Sequence, residues 1–179
     1  IVKNSGGTAW GDGGYHYISY YDTKIGQFVL CRNAEPVTNY DRIHQHDPLG
    51  HTGSRGYGAG VPIWVSNVFA ASQPERLSAI AFYALDSVGS YDASVYRGVA
   101  AAPTSGTLAA SFSGVFSHAG YLTVPLPSPV DLNTGEKFSV VLRLNTPDYA
   151  YPAAVETAVA GFSSQATASP GESDYSHGG

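Results

Sequence analysis

The sequence predicts an all-β chain whose main body is an antiparallel, jelly-roll-like β-sandwich. Three observations predict it. Apolar residues recur at period two in strand-length runs from about residue 61 onward, the pattern of half-buried strands. Turn-forming segments ("DSVGS", "APTSG", "SHAG", "NTGEK", "NTPDY") separate those runs, at intervals of about 10–15 residues that suit a sandwich. No helical period persists, and strands do not alternate with helices.

Each run supports a strand. "PIWVSNVFAA" alternates at Ile63 and Val65 and, after a slip, at Val68 and Ala70. "ERLSAIAFYAL" puts Leu77, Ala79, Ala81, Tyr83 and Leu85 on one face, with Ile80 and Phe82 on the other. "SYDASVYRGV" alternates Tyr91, Ala93, Val95 and Arg97, and "GTLAASFSGVFS" offers Leu108, Ala110, Phe112 and Gly114. Leu122, Val124 and Leu126 stand in register until Pro127 and Pro129, which have no N–H for a central ladder and are expected to end that strand. "EKFSVVLRLN" presents Phe138, Val140, Leu142 and Leu144 as one apolar face. β-Branched and aromatic residues are plentiful throughout, as strands prefer.

The 179 residues suffice for one domain with a real core. Charged residues are only 13% of the chain, and the net charge is −5. With no basic stripe to neutralise phosphates, a nucleic-acid partner is not expected. No apolar window of about 18 residues exists to span a membrane. The single cysteine, Cys31, lies in the apolar run "QFVLCRN"; it suits packing better than catalysis. Three zones are visible: a Gly- and Tyr-rich segment over residues 1–22, a polar, turn-laden connector over 23–60, and the sandwich over 61–179.

The first zone contains "NSGGTAWGDGGY", residues 4–15. It resembles the N-S-W-G-x-x-W-G-x-x-G-Y segment around the catalytic Asn of papain-like cysteine peptidases. Asn4, Ser5, Gly7, Trp10, Gly11, Gly14 and Tyr15 match, and Gly6 stands where that family has a Trp. The resemblance implies that residues 1–22 are the C-terminal strands of a papain-like β-domain, with Ile1–Lys3 leading in and "YHYISYYD" leading out. It implies Asn4 as the residue that orients the catalytic His, through a side-chain carbonyl accepting from the imidazole. Gly6 removes the Trp that shields this bond from water. The nucleophilic Cys and the His would lie upstream of Ile1, so no peptidase activity is expected of this chain by itself.

The later segments, among them "GYLTVPLPSPVDLNTGEKFSVV", resemble the lectin-like domain attached to certain bacterial and archaeal surface cysteine peptidases. The resemblance implies an accessory domain of an exported enzyme at a prokaryotic cell surface or outside the cell. Its partners would be the rest of the parent peptidase and a surface glycan or protein.

The residues themselves suggest three kinds of site. Exposed aromatics stack on sugar rings; Tyr149 and Tyr151 in a Pro-bearing loop and Tyr57 in "GYGAG" are the candidates. Trp64 is a further one, although its place between Ile63 and Val65 favours the core. Carboxylates in sandwich loops suit calcium; Asp41 and Asp47 lead that set, with Asp86, Asp92 and Asp131 behind them. His44, His46 and His51 crowd beside Asp47. His44 and His46, two apart, would share one face of a strand and offer imidazoles to zinc or iron, as in cupin-type sandwiches. The alternatives to an accessory peptidase domain are therefore an independent carbohydrate-binding module and a cupin-type metal protein.

Overall fold

The computed structural model describes residues 1–3, 7–21 and 36–178. The chain forms two units, Ile1–Arg42 and Ile43–Gly179. Asn4, Ser5, Gly6 and Cys31 lie outside the described residues. No helix occurs among the described residues, and so none is long and apolar enough to cross a membrane.

In the first unit, β1 (Val2–Lys3) pairs antiparallel with β2 (Tyr15–His16). The turn between them closes through the backbone bonds Gly14 N–H to Trp10 O (2.9 Å) and Asp12 N–H to Tyr15 O (2.8 Å). Gly11 has φ +66°, and a Cβ there would lie 2.4 Å from Tyr15 O, so the turn admits only glycine. The Trp10 ring meets His16 edge-on at 5.2 Å and is half exposed. The strand leading out ends at His16, earlier than the run "YHYISYYD" suggests, and Tyr20 and Tyr21 are fully exposed.

The second unit is an antiparallel β-sandwich. Its strands are β3 (Gly53–Arg55), β4 (Ile63–Ala70), β5 (Glu75–Ala84), β6 (Gly89–Arg97), β7 (Thr107–Phe116), β8 (Gly120–Leu132), β9 (Lys137–Asn145), β10 (Ala153–Val155) and β11 (Ser173–Ser176). One sheet has the order β11-β4-β9-β6-β7; β5 pairs with β8, and β10 with β3. Apart from the β6–β7 hairpin, successive strands from β4 to β9 change sheets, which is jelly-roll-like wiring.

The core lies between the sheets. Phe138, Ile63, Ala93 and Val95 are fully buried from the five-stranded side, and Ile80, Phe82, Leu126, Val130 and Leu132 close it from the β5–β8 side. Phe82 meets Tyr91 at 5.2 Å across the interface. The face Phe138, Val140, Leu142, Leu144 and the face Tyr91, Ala93, Val95 point inward as the alternation predicts. Each fully buried side chain of this size contributes about 1.5–3 kcal/mol.

Three local expectations are corrected. β4 has no slip: it pairs with β9 in unbroken register from Ile63↔Leu144 to Ala70↔Lys137, so Ile63, Val65 and Phe69 share the inward face. In β5 the buried face is Ile80, Phe82 and Ala84, and the register shift after Leu77 turns Leu77 onto that same face; a bulge reverses parity in a way alternation cannot show. The strand carrying Pro127 and Pro129 does not end there. It runs on to Leu132, and the prolines fall where the β5 ladder lapses between Pro125 and Val130, which is where missing N–H groups cost nothing.

The β8–β9 turn is fastened by charge. Arg97 Nε and Nη2 donate to Glu136 at 2.7 and 2.8 Å, and the Asn133 backbone N–H donates to the same carboxylate at 2.9 Å. The Arg97 bonds first, and then the Asn133 N–H, hold the Glu136 carboxyl down to about 2. A carboxylate with a lowered folded pKa contributes stability that is complete above its ordinary range and lost as pH falls through the folded value. Glu136→Gln is therefore expected to lower Tm by about 3–6 °C at pH 7, with the gap to wild type closing toward pH 2. A gap that stays constant across a pH 2–7 melting series would refute this assignment.

Candidate functional site

The site is built where two loops meet at one end of the sandwich. Residues 56–61 run from β3 into β4, and residues 146–152 run from β9 into β10. Both of their ends are locked by ladders: Arg55 pairs with Ala153 on one side and Ile63 with Leu144 on the other. Between those anchors Gly58 N–H donates to Ala150 O (3.3 Å) and Gly60 N–H to Thr146 O (2.8 Å). Thr146, fully buried, donates its hydroxyl to Tyr149 O at 2.6 Å and shapes the second loop from within. Gly56 lets the loops touch: a Cβ there would lie 2.0 Å from Ala150 O and 2.6 Å from Tyr151 Cα.

This contact sets the loop that bears Tyr57 against the loop that bears Tyr149 and Tyr151, the three tyrosines singled out from the sequence. Tyr151 is 52% exposed and Tyr57 45%. Tyr149 meets Tyr151 edge-on at 6.0 Å, and the edge of one ring steadies the other in the geometry aromatic pairs prefer. Tyr57 meets His177 edge-on, with the rings 4.8 Å apart. His177 follows β11 directly, so the C-terminal strand also joins this end.

Trp64 is not a core residue. With Ile63 and Val65 inward, Trp64 points to the outer face of the five-stranded sheet, opposite Arg143 on β9. The Arg143 guanidinium lies 5.4 Å from the centre of the Trp64 ring and donates to Asp92 at 2.9 Å on β6. Trp64, Arg143 and Asp92 thus form a cross-strand row. Arg143 was outward by the alternation of its own strand, but the row depends on strand order and register.

The carboxylates and imidazoles are placed differently from a metal centre. Residues 43–46 are not a strand, so His44 and His46 do not share a strand face. His44 Nε2 bonds Glu75 at 2.9 Å with its ring edge-on to Phe138 at 5.2 Å, whereas His46 Nε2 donates to Val68 O at 2.7 Å with its ring stacked on Phe69 at 4.6 Å. His51 Nε2 bonds the Ser54 hydroxyl at 3.0 Å. Each ring is held separately, His44 and His46 by strands β5 and β4 and His51 by its own segment. Burial, and after it the charges of Glu156 and Glu172, pushes the Asp47 carboxyl up, partly offset by His46.

The other candidates for calcium each have their own partner: Asp86 takes the Ser87 N–H at 2.7 Å, Asp92 takes Arg143, and Asp131 takes Arg76 at 2.7 Å. Asp41 is exposed in the first unit. Among the described residues no three His, Cys, Asp or Glu side chains gather as a metal ion requires.

Comparison with known proteins gives one family. The sequence model described as "Lectin like domain" matches residues 43–179, the same residues as the second structural unit. No curated protein matches the chain.

Proposed function

Because this chain belongs to the lectin-like domain family, we propose that residues 43–179 are a binding module that takes a cell-surface glycan at its loop end. The observation that carries the reading is the contact between two loops about 90 residues apart, one bearing Tyr57 and the other the Tyr149–Tyr151 ring pair, with Tyr57 and Tyr151 half exposed. Aromatic rings offered to solvent beside backbone and hydroxyl groups are the surface on which the apolar faces of sugars pack.

The module serves, in this proposal, as the accessory domain of an exported, prokaryotic papain-like cysteine peptidase, holding the enzyme at a surface or presenting substrate to it. The match of "NSGGTAWGDGGY" to the catalytic-Asn segment of that family supports the peptidase context, and Asn4 would orient the His of the complete enzyme. The chain by itself carries no nucleophile and base in papain order. It is expected to leave peptide substrates uncut in a fluorogenic assay; cleavage blocked by a thiol-directed inhibitor would contradict this.

A glycan array tests the binding reading. Binding at micromolar affinity is expected, with Tyr151→Ala weakening it about tenfold, or about 1.4 kcal/mol, while Tm changes little because the ring is half exposed. An array without a hit, or a hit untouched by Tyr149→Ala and Tyr151→Ala, would overturn the reading.

A further inference from the structure

The loop end continues onto the sheet. Register places Ser176, Trp64, Arg143, Asp92 and Ser113 directly opposite one another on β11, β4, β9, β6 and β7. Directly opposed residues share a face, and Trp64 sets that face as the outer one. Four steps between strands of about 4.8 Å make the row about 19 Å long. Its first residue precedes His177, which touches Tyr57, so the row starts next to the Tyr57 end of the site.

We propose that this row extends the loop-end site into an elongated groove for a neutral polysaccharide chain, bound along its length and not by its terminus. The inference rests on the glycan reading above.

The chemistry of the row selects the ligand. The Trp64 indole offers an aromatic edge and ring. Arg143 spends one donor on Asp92 and keeps others, and Asp92, with its side chain 54% exposed, keeps acceptor positions open. Paired donors and acceptors of this kind match vicinal hydroxyls. The neighbouring row is Asp174, Ser66, Val141, Ser94 and Ser111, a low floor, mostly hydroxyl-bearing, on which the Trp64 and Arg143 side chains stand. A floor of hydroxyl-bearing side chains suits sugar hydroxyls better than the apolar side chains of a peptide. Arg143 is neutralised by Asp92, and the chain carries a net charge of −5, so polyanions are not drawn to the face. Beyond the floor, a pocket lined by Val68, Lys137, Gly171 and the 99–103 loop bounds the open face.

Titration calorimetry with neutral oligosaccharides of two to eight units, taken from soluble β-glucan, mannan and chitin, tests the proposal on the full chain. For at least one series, affinity is expected to rise with length to four units or more. Trp64→Ala and Asp92→Asn are expected to weaken the long members about tenfold and the dimer little. Ser113→Arg, a change at an exposed site that blocks the row without touching the core, keeps the test independent of whether the Trp64 variant folds. Binding that is independent of length, needs Tyr151 and ignores all three substitutions would overturn the groove and leave the loop-end reading standing. No binding by any of the three series would overturn the groove, with the glycan array still deciding the loop-end reading, and binding of unfolded gelatin in place of all glycans would overturn both.

Discussion

Phe138→Ala is expected to cost about 3–5 kcal/mol of folding stability, a large share of the 5–15 kcal/mol typical of a domain. Phe138 is fully buried near the start of β9, where it closes one end of the core. Its ring lies 5.5 Å from Phe69 and 5.2 Å from His44. Truncation would leave a cavity beneath both, and His44, held from the other side by Glu75, has no freedom to fill it. The loss should appear as a fall in Tm of about 10 °C or more and as a matching shift of the urea midpoint. Val115→Ala, at a site 83% exposed on edge strand β7, serves as the control and should stay within about 0.5 kcal/mol. A loss below 1 kcal/mol at Phe138 would mean that β9 does not present this face to the core.

The second large effect is at the site. Gly56→Ala drives a methyl group against Ala150 O at 2.0 Å, Tyr151 Cα at 2.6 Å and the Pro152 ring at 2.8 Å. These neighbours are mostly backbone and have no rotamer by which to escape. The two loops must part, at a cost of about 1–3 kcal/mol, and the loop that bears Tyr57 leaves its place against the loop that bears Tyr151. Binding should therefore fall further than in Tyr151→Ala, since one substitution displaces the rings of both loops. Gly178→Ala, where nothing lies within 4 Å of the added Cβ, should be silent in melting. If Gly56→Ala melts and binds as wild type does, the loops are not in the contact described.

Much of the sandwich was legible because its central strands alternate cleanly. Phe138 to Leu144 and Tyr91 to Val95 state their inward faces directly, and both face the core. Alternation fails where a ladder is irregular. The bulge in β5 puts Leu77 and Ile80, three residues apart, on one face, and the shift between Val95 and Tyr96 in the β6–β7 pair leaves Leu108 half exposed. β3 and β11, Gly-Ser-Arg and Ser-Asp-Tyr-Ser, carry no apolar pattern at all. They are strands only because β10 and β4 offer them edges.

The site was legible in its parts and not in its assembly. Turn-rich surroundings marked Tyr57, Tyr149 and Tyr151 as surface aromatics, but the meeting of their two loops depends on the β3–β10 and β4–β9 pairings. Trp64 was misread for a related reason. Flanking apolar residues in a strand say that the residue between them faces the other way, and which way is outward follows only from the sheet. The histidines had the spacing of ligands, but Phe69, Phe138, Glu75 and the Val68 carbonyl took them singly.

Ligand is expected to bind where the 56–61 and 146–152 loops meet. A ¹⁵N heteronuclear NMR titration of the chain with a hydrolysate of neutral cell-wall polysaccharide tests it most directly. Amide shifts are expected to concentrate at residues 56–61, 146–152 and 177, spreading to Trp64 and Arg143. Shifts confined to residues 44–51, around the histidines and Asp47, would contradict it.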